Sequence, residues 1–190
     1  MVGRQLPSLQ ERVRVRVPKG EDLLEDSMRV LGIDPGSLIT GFGVVEEARS
    51  GLCALAWGTV RTSSNQPLPV RLQRIYDGLS EALRQWEPEA VAVERVFFAE
   101  NPKTALILGH ARGVALLTVA NAALPLVEYS ALEIKQAVVG YGRAGKAQVQ
   151  QMVRTLLRLD TLPQPADAAD ALAAAICHVH THGFRSKVVR

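Results

Sequence analysis

Two short apolar runs in this chain each end on an acid, and a third apolar stretch holds two more. Met28-Arg-Val-Leu-Gly-Ile-Asp ends on Asp34, Ala90-Val-Ala-Val-Glu ends on Glu94, and the alanine-rich segment Ala166 to Ile176 carries Asp167 and Asp170. A carboxylate inside an apolar element loses hydration and requires a partner or a metal. The Asp-Ala-Ala-Asp segment holds no base to pair with either of its acids. A divalent cation is the economical partner, and with it comes metal-assisted chemistry on phosphate. Any fold for this chain must therefore bring buried acids together.

With 190 residues, 47% of them hydrophobic, the chain suits one globular domain with a real core. The longest apolar stretch, Val114 to Leu126, falls short of a membrane span and contains Asn121. Two cysteines, Cys53 and Cys177, fit a reduced, cytoplasmic setting without a structural disulfide. The net charge of +3 is only mildly basic. Bases cluster on expected surfaces, as in the C-terminal tail 183–190 with Arg185, Lys187 and Arg190.

Residues 1–27 stand apart, with Arg-Val-Arg-Val-Arg-Val followed by an acidic stretch, and read as a flexible extension capable at most of a short strand. The main domain is expected over 28–182. Strands are expected at 28–34, 41–47 and 53–61, joined by short turns as an antiparallel meander. Helical spacing from Leu72 to Trp86 ends at Pro88, and Val91 to Glu94 forms a further strand. A helix from Lys103 to Ala122 is apolar on more than one side, which places it centrally or at a subunit interface. A fifth strand is expected at 124–128. Ser130 with Glu133 forms a capping box, and helices follow over 146–159 and about 167–180. The expected class is α/β, a mixed five-stranded sheet with helices on both faces.

Asp34 and Glu94 would share one sheet edge if their strands are parallel neighbours. Asp167 and Asp170, three apart, lie on one helix face. Such a cluster repels itself without cations. With Mg²⁺ or Mn²⁺ the acids become oxygen ligands, and two ions roughly 4 Å apart can activate water and stabilise a leaving oxygen. Asp34 before Pro35-Gly36 also suits a plain turn, and Asp167 also suits a helix cap.

The motifs between the acids carry a resemblance. Gly32-Ile-Asp-Pro-Gly-Ser37 with Thr40-Gly-Phe-Gly43 resembles the first strand of the RuvC Holliday-junction resolvases. Val93-Glu-Arg-Val-Phe97, Gly109-His-Ala-Arg-Gly113, Lys135-Gln-Ala-Val-Val-Gly140, Gln148 to Arg154 and Ala166 to Leu172 are similar in the same order. The resemblance implies an RNase H-like fold and a homodimer that nicks opposite strands of four-way junction DNA symmetrically, using two Mg²⁺ or Mn²⁺ ions per site. It implies Asp34, Glu94, Asp167 and Asp170 as the catalytic, metal-holding quartet. Lys135 and Lys146 match lysines that handle DNA, and Phe97 matches an aromatic wedge. A branch-migration motor of RuvA and RuvB type is the implied partner. Arg95 and His110 depart from the family pattern and receive no role.

Arg143, in the glycine-broken segment 140–145, suits a gripped phosphate backbone, and Lys103, Arg112 and Arg154 are further candidates. Of the adjacent aromatics Phe97 and Phe98, Phe97 is expected to project as a wedge. His178, His180 and His182 read as a polar surface end, because residues two apart on a helix share no face. An actin-like ATPase or sugar kinase, suggested by Asp34-Pro-Gly, would need a second phosphate-binding half. A non-catalytic junction binder would not need the quartet.

Overall fold

The computed structural model describes residues 10–11, 27–49, 51–95 and 101–188. In chain order these form β1 (Gln10–Glu11), β2 (Arg29–Asp34), β3 (Ile39–Ala48), β4 (Gly51–Arg61), α1 (Leu68–Trp86), β5 (Ala90–Arg95), α2 (Pro102–Asn121), β6 (Leu126–Ser130), α3 (Ala131–Val139), α4 (Lys146–Leu156) and α5 (Ala166–Val188). The sheet order is β1-β4-β3-β2-β5-β6. β2, β3 and β4 form the antiparallel meander, and β5 and β6 run parallel to β2. Parallel neighbours need crossovers, which α1 and α2 supply.

The five expected strands are present, and β1 adds a sixth at the β4 edge through Gln10↔Thr59 and Glu11↔Gly58. That pairing is a short strand of the kind the first 27 residues were read as able to form; residues 1–9 and 12–26 lie outside the described residues. β6 starts two residues later than expected because Ala122 to Leu124 complete the turn that ends α2, with their N–H groups bonded to its last carbonyls. α5 runs to Val188 rather than about 180, into the segment read as a tail.

Strand alternation divides the core in two. Leu31, Ile33, Phe42, Val44, Val91 and Val93 face α1 and α2. Val30, Val45, Ala92 and Tyr129 face the layer of α3, α4 and α5. By the same period of two, Asp34 and Glu94 point to the α5 side.

α5 lies against β2 and β3 at unusually short range. A Cβ on Gly32 would overlap the Ala171 carbonyl oxygen, and one on Gly41 would overlap that of Asp167. One on Gly43 would come within 2.7 Å of Leu172 Cγ. Three glycines on one sheet face thus let a helix lined with alanine settle backbone to backbone. Ala168, Ala171, Leu172 and Ala175 are fully buried there.

Candidate active site

Each acid reaches the site for a local reason. Asp34 is the last residue of β2 and Glu94 the penultimate residue of β5. The two strands are parallel and adjacent, with Ile33 opposite Val93, so both acids emerge at one sheet edge. Asp167 is the second residue of α5 and Asp170 lies almost one turn further. Asp167 is inside the helix, so it is not the residue preceding it. In that first turn the helix dipole favours an acid. The glycine-permitted docking of α5 brings this turn over Gly41, which pairs with Asp34.

The electrostatics register the convergence. Burial pushes the Asp34 carboxyl up from 3.8 to about 7, reinforced by Glu94, Asp170 and Asp167, with Lys146 opposing. Burial also raises Glu94, with Asp170 adding to it and Lys146 and Lys135 opposing. Lys146, the first residue of α4, places Nζ 2.6 Å from Asp170 Oδ2. That hydrogen bond is the main reason its ammonium is held above the ordinary lysine value. Glu94, Lys135, Lys146 and Asp170 line one cavity of about 230 Å³. A larger cavity of about 540 Å³, between the C-terminal ends of α1 and α2, contains none of the four acids.

Among the described residues, no three acids, histidines or cysteines are drawn into a ready-made metal cluster. The donor set nevertheless fits a hard divalent ion. It offers only oxygens, one carboxyl is costly to ionise without added positive charge, and a lysine ammonium already sits against another.

This fit has a pH signature. Asp34 holds its proton more tightly folded than unfolded, so its ionisation destabilises the metal-free fold. Stability is expected to fall as pH rises from 3.8 to about 7 and then to level off. Thermal unfolding in chelator should show that decline, and Mg²⁺ should raise the melting temperature more at pH 8 than at pH 5.5. Equal Mg²⁺ effects at both pH values would contradict it.

The basic candidates separate. Lys135 is half-buried on α3 at the cavity, and Arg143 is exposed between α3 and α4. Lys103 is exposed in the first turn of α2. Arg154 donates to the Leu159 carbonyl and finishes α4. Arg112 is a correction to the expectation of a DNA-facing base. Its guanidinium pairs with Glu128 and donates to the Glu94 carbonyl, with its side chain only 17% exposed. Phe97 and Phe98 lie outside the described residues.

His178 is a second correction. It is buried, and its Nδ1 is 2.9 Å from the Tyr129 hydroxyl, while His180 and His182 are exposed. His178 and His182, four residues apart, share a helix face with ring centroids 6.0 Å apart, and that face turns His178 inward. Cys53 and Cys177 are both buried.

Residues 30–178 match the family model of the crossover junction endodeoxyribonuclease RuvC. The chain belongs to the RuvC family. It is 57% identical over 153 residues to the crossover junction endodeoxyribonuclease RuvC of Syntrophotalea carbinolica, spanning 80% of this chain and 94% of that one. Identity to the RuvC of Desulforamulus reducens is 48% over 163 residues, 84% of this chain and all of the relative. Among solved structures, the Thermus thermophilus RuvC in complex with Holliday junction substrate superposes with a TM-score of 0.78 at 38% identity, covering 83% of this chain and 96% of that one. The RNase H-like architecture expected of the RuvC family is therefore the fold of this chain, and divalent metal use goes with it.

Proposed function

We propose that this chain resolves four-way DNA junctions as a Mg²⁺- or Mn²⁺-dependent endonuclease, cutting two opposed strands from a homodimer. The observation that carries the reading is the meeting of Asp34, Glu94, Asp167 and Asp170 at one sheet edge, with Asp34 held near neutrality by burial and by the other three. In hydrolysis, a water oxygen joins phosphorus, the bond to one sugar oxygen breaks, and that oxygen takes a proton. Two divalent ions held by the four acids would supply positive charge for attack and departure. Asp34, coupled to the other three acids, is the residue best placed to be shared.

The chain's other residues handle the phosphate backbone. Lys135 and Lys146 stand at the cavity rim, where their ammonium groups neutralise incoming phosphates. Arg143 and Lys103, both exposed, extend the contact. Phe97 is retained as the wedge against junction bases. α2 supports the homodimer. Of its 20 residues only Ala111, Ala115, Thr118 and Val119 are buried, while Leu106 and Leu117 are 65% and 56% exposed. Its length and mean hydropathy of 1.2 would also pass for a membrane span. Lys103 and Arg112 within it, and its packing on α1, favour a subunit contact. The buried thiols suit a cytoplasmic setting, and a branch-migration motor of RuvA and RuvB type is the proposed partner.

The test is a mobile four-way junction incubated with Mg²⁺ or Mn²⁺. Paired, symmetric, ligatable nicks are expected, with little cutting of linear duplex. Free cutting of duplex without paired nicks would overturn the reading.

A further inference from the structure

Arg112 is half-buried on the side of the sheet away from the acids. It projects from α2, and its partner Glu128 lies in β6 opposite Val93, whose side chain faces α1 and α2. The acids point to the other face. The guanidinium therefore cannot share a substrate with them directly.

Its contacts nevertheless converge on the strand end that carries Glu94. Nη1 donates to the Glu94 carbonyl at 2.8 Å, and Nη2 pairs with the Glu128 carboxylate. Arg95 adds a bond of 3.2 Å from its own guanidinium to the Glu128 carbonyl. Pairing between β2 and β5 stops at Ile33↔Val93, so Glu94 stands one residue beyond that ladder, and on β2 the residue after Asp34 is Pro35, which has no N–H. The Glu94 main chain thus has lost one neighbouring strand at the position where its side chain must be aimed. A planar guanidinium serves two acceptors at fixed geometry, which an ammonium does not. Burying it is costly unless both acceptors are present.

We infer that Arg112 is a positioning residue for the proposed cleavage reaction: acting from the far face through the backbone, it fixes the end of β5 and so aims Glu94 at the other three acids. The inference rests on the functional reading above. It also ties α2, the helix with the exposed apolar surface, to the acidic site.

Three measurements on the full chain decide it: junction affinity in Ca²⁺, single-turnover cleavage of bound junction in Mg²⁺, and Mn²⁺ affinity without DNA by calorimetry. Arg112→Met is expected to leave junction affinity within about twofold while cleavage and Mn²⁺ affinity each fall roughly 10-fold or more, the range found for groups that orient metal-holding side chains. Arg112→Lys keeps the charge and guards against misfolding. It should fall in the same direction at an unchanged melting temperature, and Glu128→Gln should follow it. Weakened junction binding with unchanged cleavage of the bound complex would make Arg112 a phosphate contact and overturn the inference. Unchanged cleavage and Mn²⁺ affinity in a folded variant would overturn it too. Failure of the wild-type chain to cleave junctions would instead remove the functional reading, and Mn²⁺ affinity would still decide whether Arg112 aims Glu94.

Discussion

Replacing Asp34 by Asn is expected to reduce junction cleavage on the order of a thousandfold while leaving junction binding within a fewfold of wild type. Asn keeps the size of the side chain and one oxygen but cannot carry the negative charge that holds positive ions at the phosphate. Removal of a single electrostatic group from a water-excluded site costs about this much in rate. Binding is spared because the proposed backbone contacts come from Lys135, Lys146, Arg143 and Lys103. The same substitution is expected to stabilise the metal-free fold above pH 7. Wild-type Asp34 is there ionised, mostly buried and beside three other acids. A rise from 3.8 to about 7 is worth on the order of 4 kcal/mol at about 1.4 kcal/mol per pKa unit, so even a fraction of it is measurable in a melt. The gain should shrink as pH falls toward 4, where the wild-type group is neutral in the folded state. Cleavage retained within about tenfold would remove Asp34 from the mechanism.

Gly41→Ala carries the second large expectation. The added methyl would overlap the Asp167 carbonyl oxygen, a backbone atom that cannot rotate away. α5 must then lift at its first turn, and Asp167 and Asp170 lift with it. Overpacking typically costs about 1–3 kcal/mol, and backbone overlap puts this site at the upper end or beyond. Cleavage should fall far more than stability, because a displacement of about 1 Å in a catalytic constellation can cost a hundredfold. Urea unfolding and single-turnover cleavage of the same preparation separate the two effects. Near wild-type values of both would show that α5 does not depend on the glycine face. Gly32→Ala, which overlaps Ala171 about one turn further along the helix and next to Asp170, serves as the comparison. It should cost stability of similar size and disturb Asp170 more than Asp167.

These two substitutions mark what sequence patterns can and cannot reveal here. The positions of Asp34 and Glu94 were legible because an acid ending a buried strand breaks the apolar run in which it stands. The capping box of Ser130 and Glu133 was legible because it is a local pattern, and both of its bonds are present. The i, i+3 pair on α5 was legible from helical period alone. By contrast, the spacing of Gly41 and Gly43, with Gly32 on the neighbouring strand, signals a close-packed face only once the strands are paired. Arg112 was misread because a base on a helix says nothing about a distant Glu128 until β6 is placed beside β5. His178 was misread for a related reason: its partner Tyr129 is 49 residues away. β1 rests on two residues joined to a distant edge, too little pattern for any periodicity to announce.

A crystal of the chain grown with Mn²⁺, mapped by anomalous scattering, decides whether the four acids hold metal. Anomalous density is expected at the Asp34 carboxylate, within coordination distance of at least one of Glu94, Asp167 and Asp170. Mn²⁺ density confined to other parts of the surface, with the Lys146–Asp170 ion pair intact and Asp34 without an ion, would contradict it.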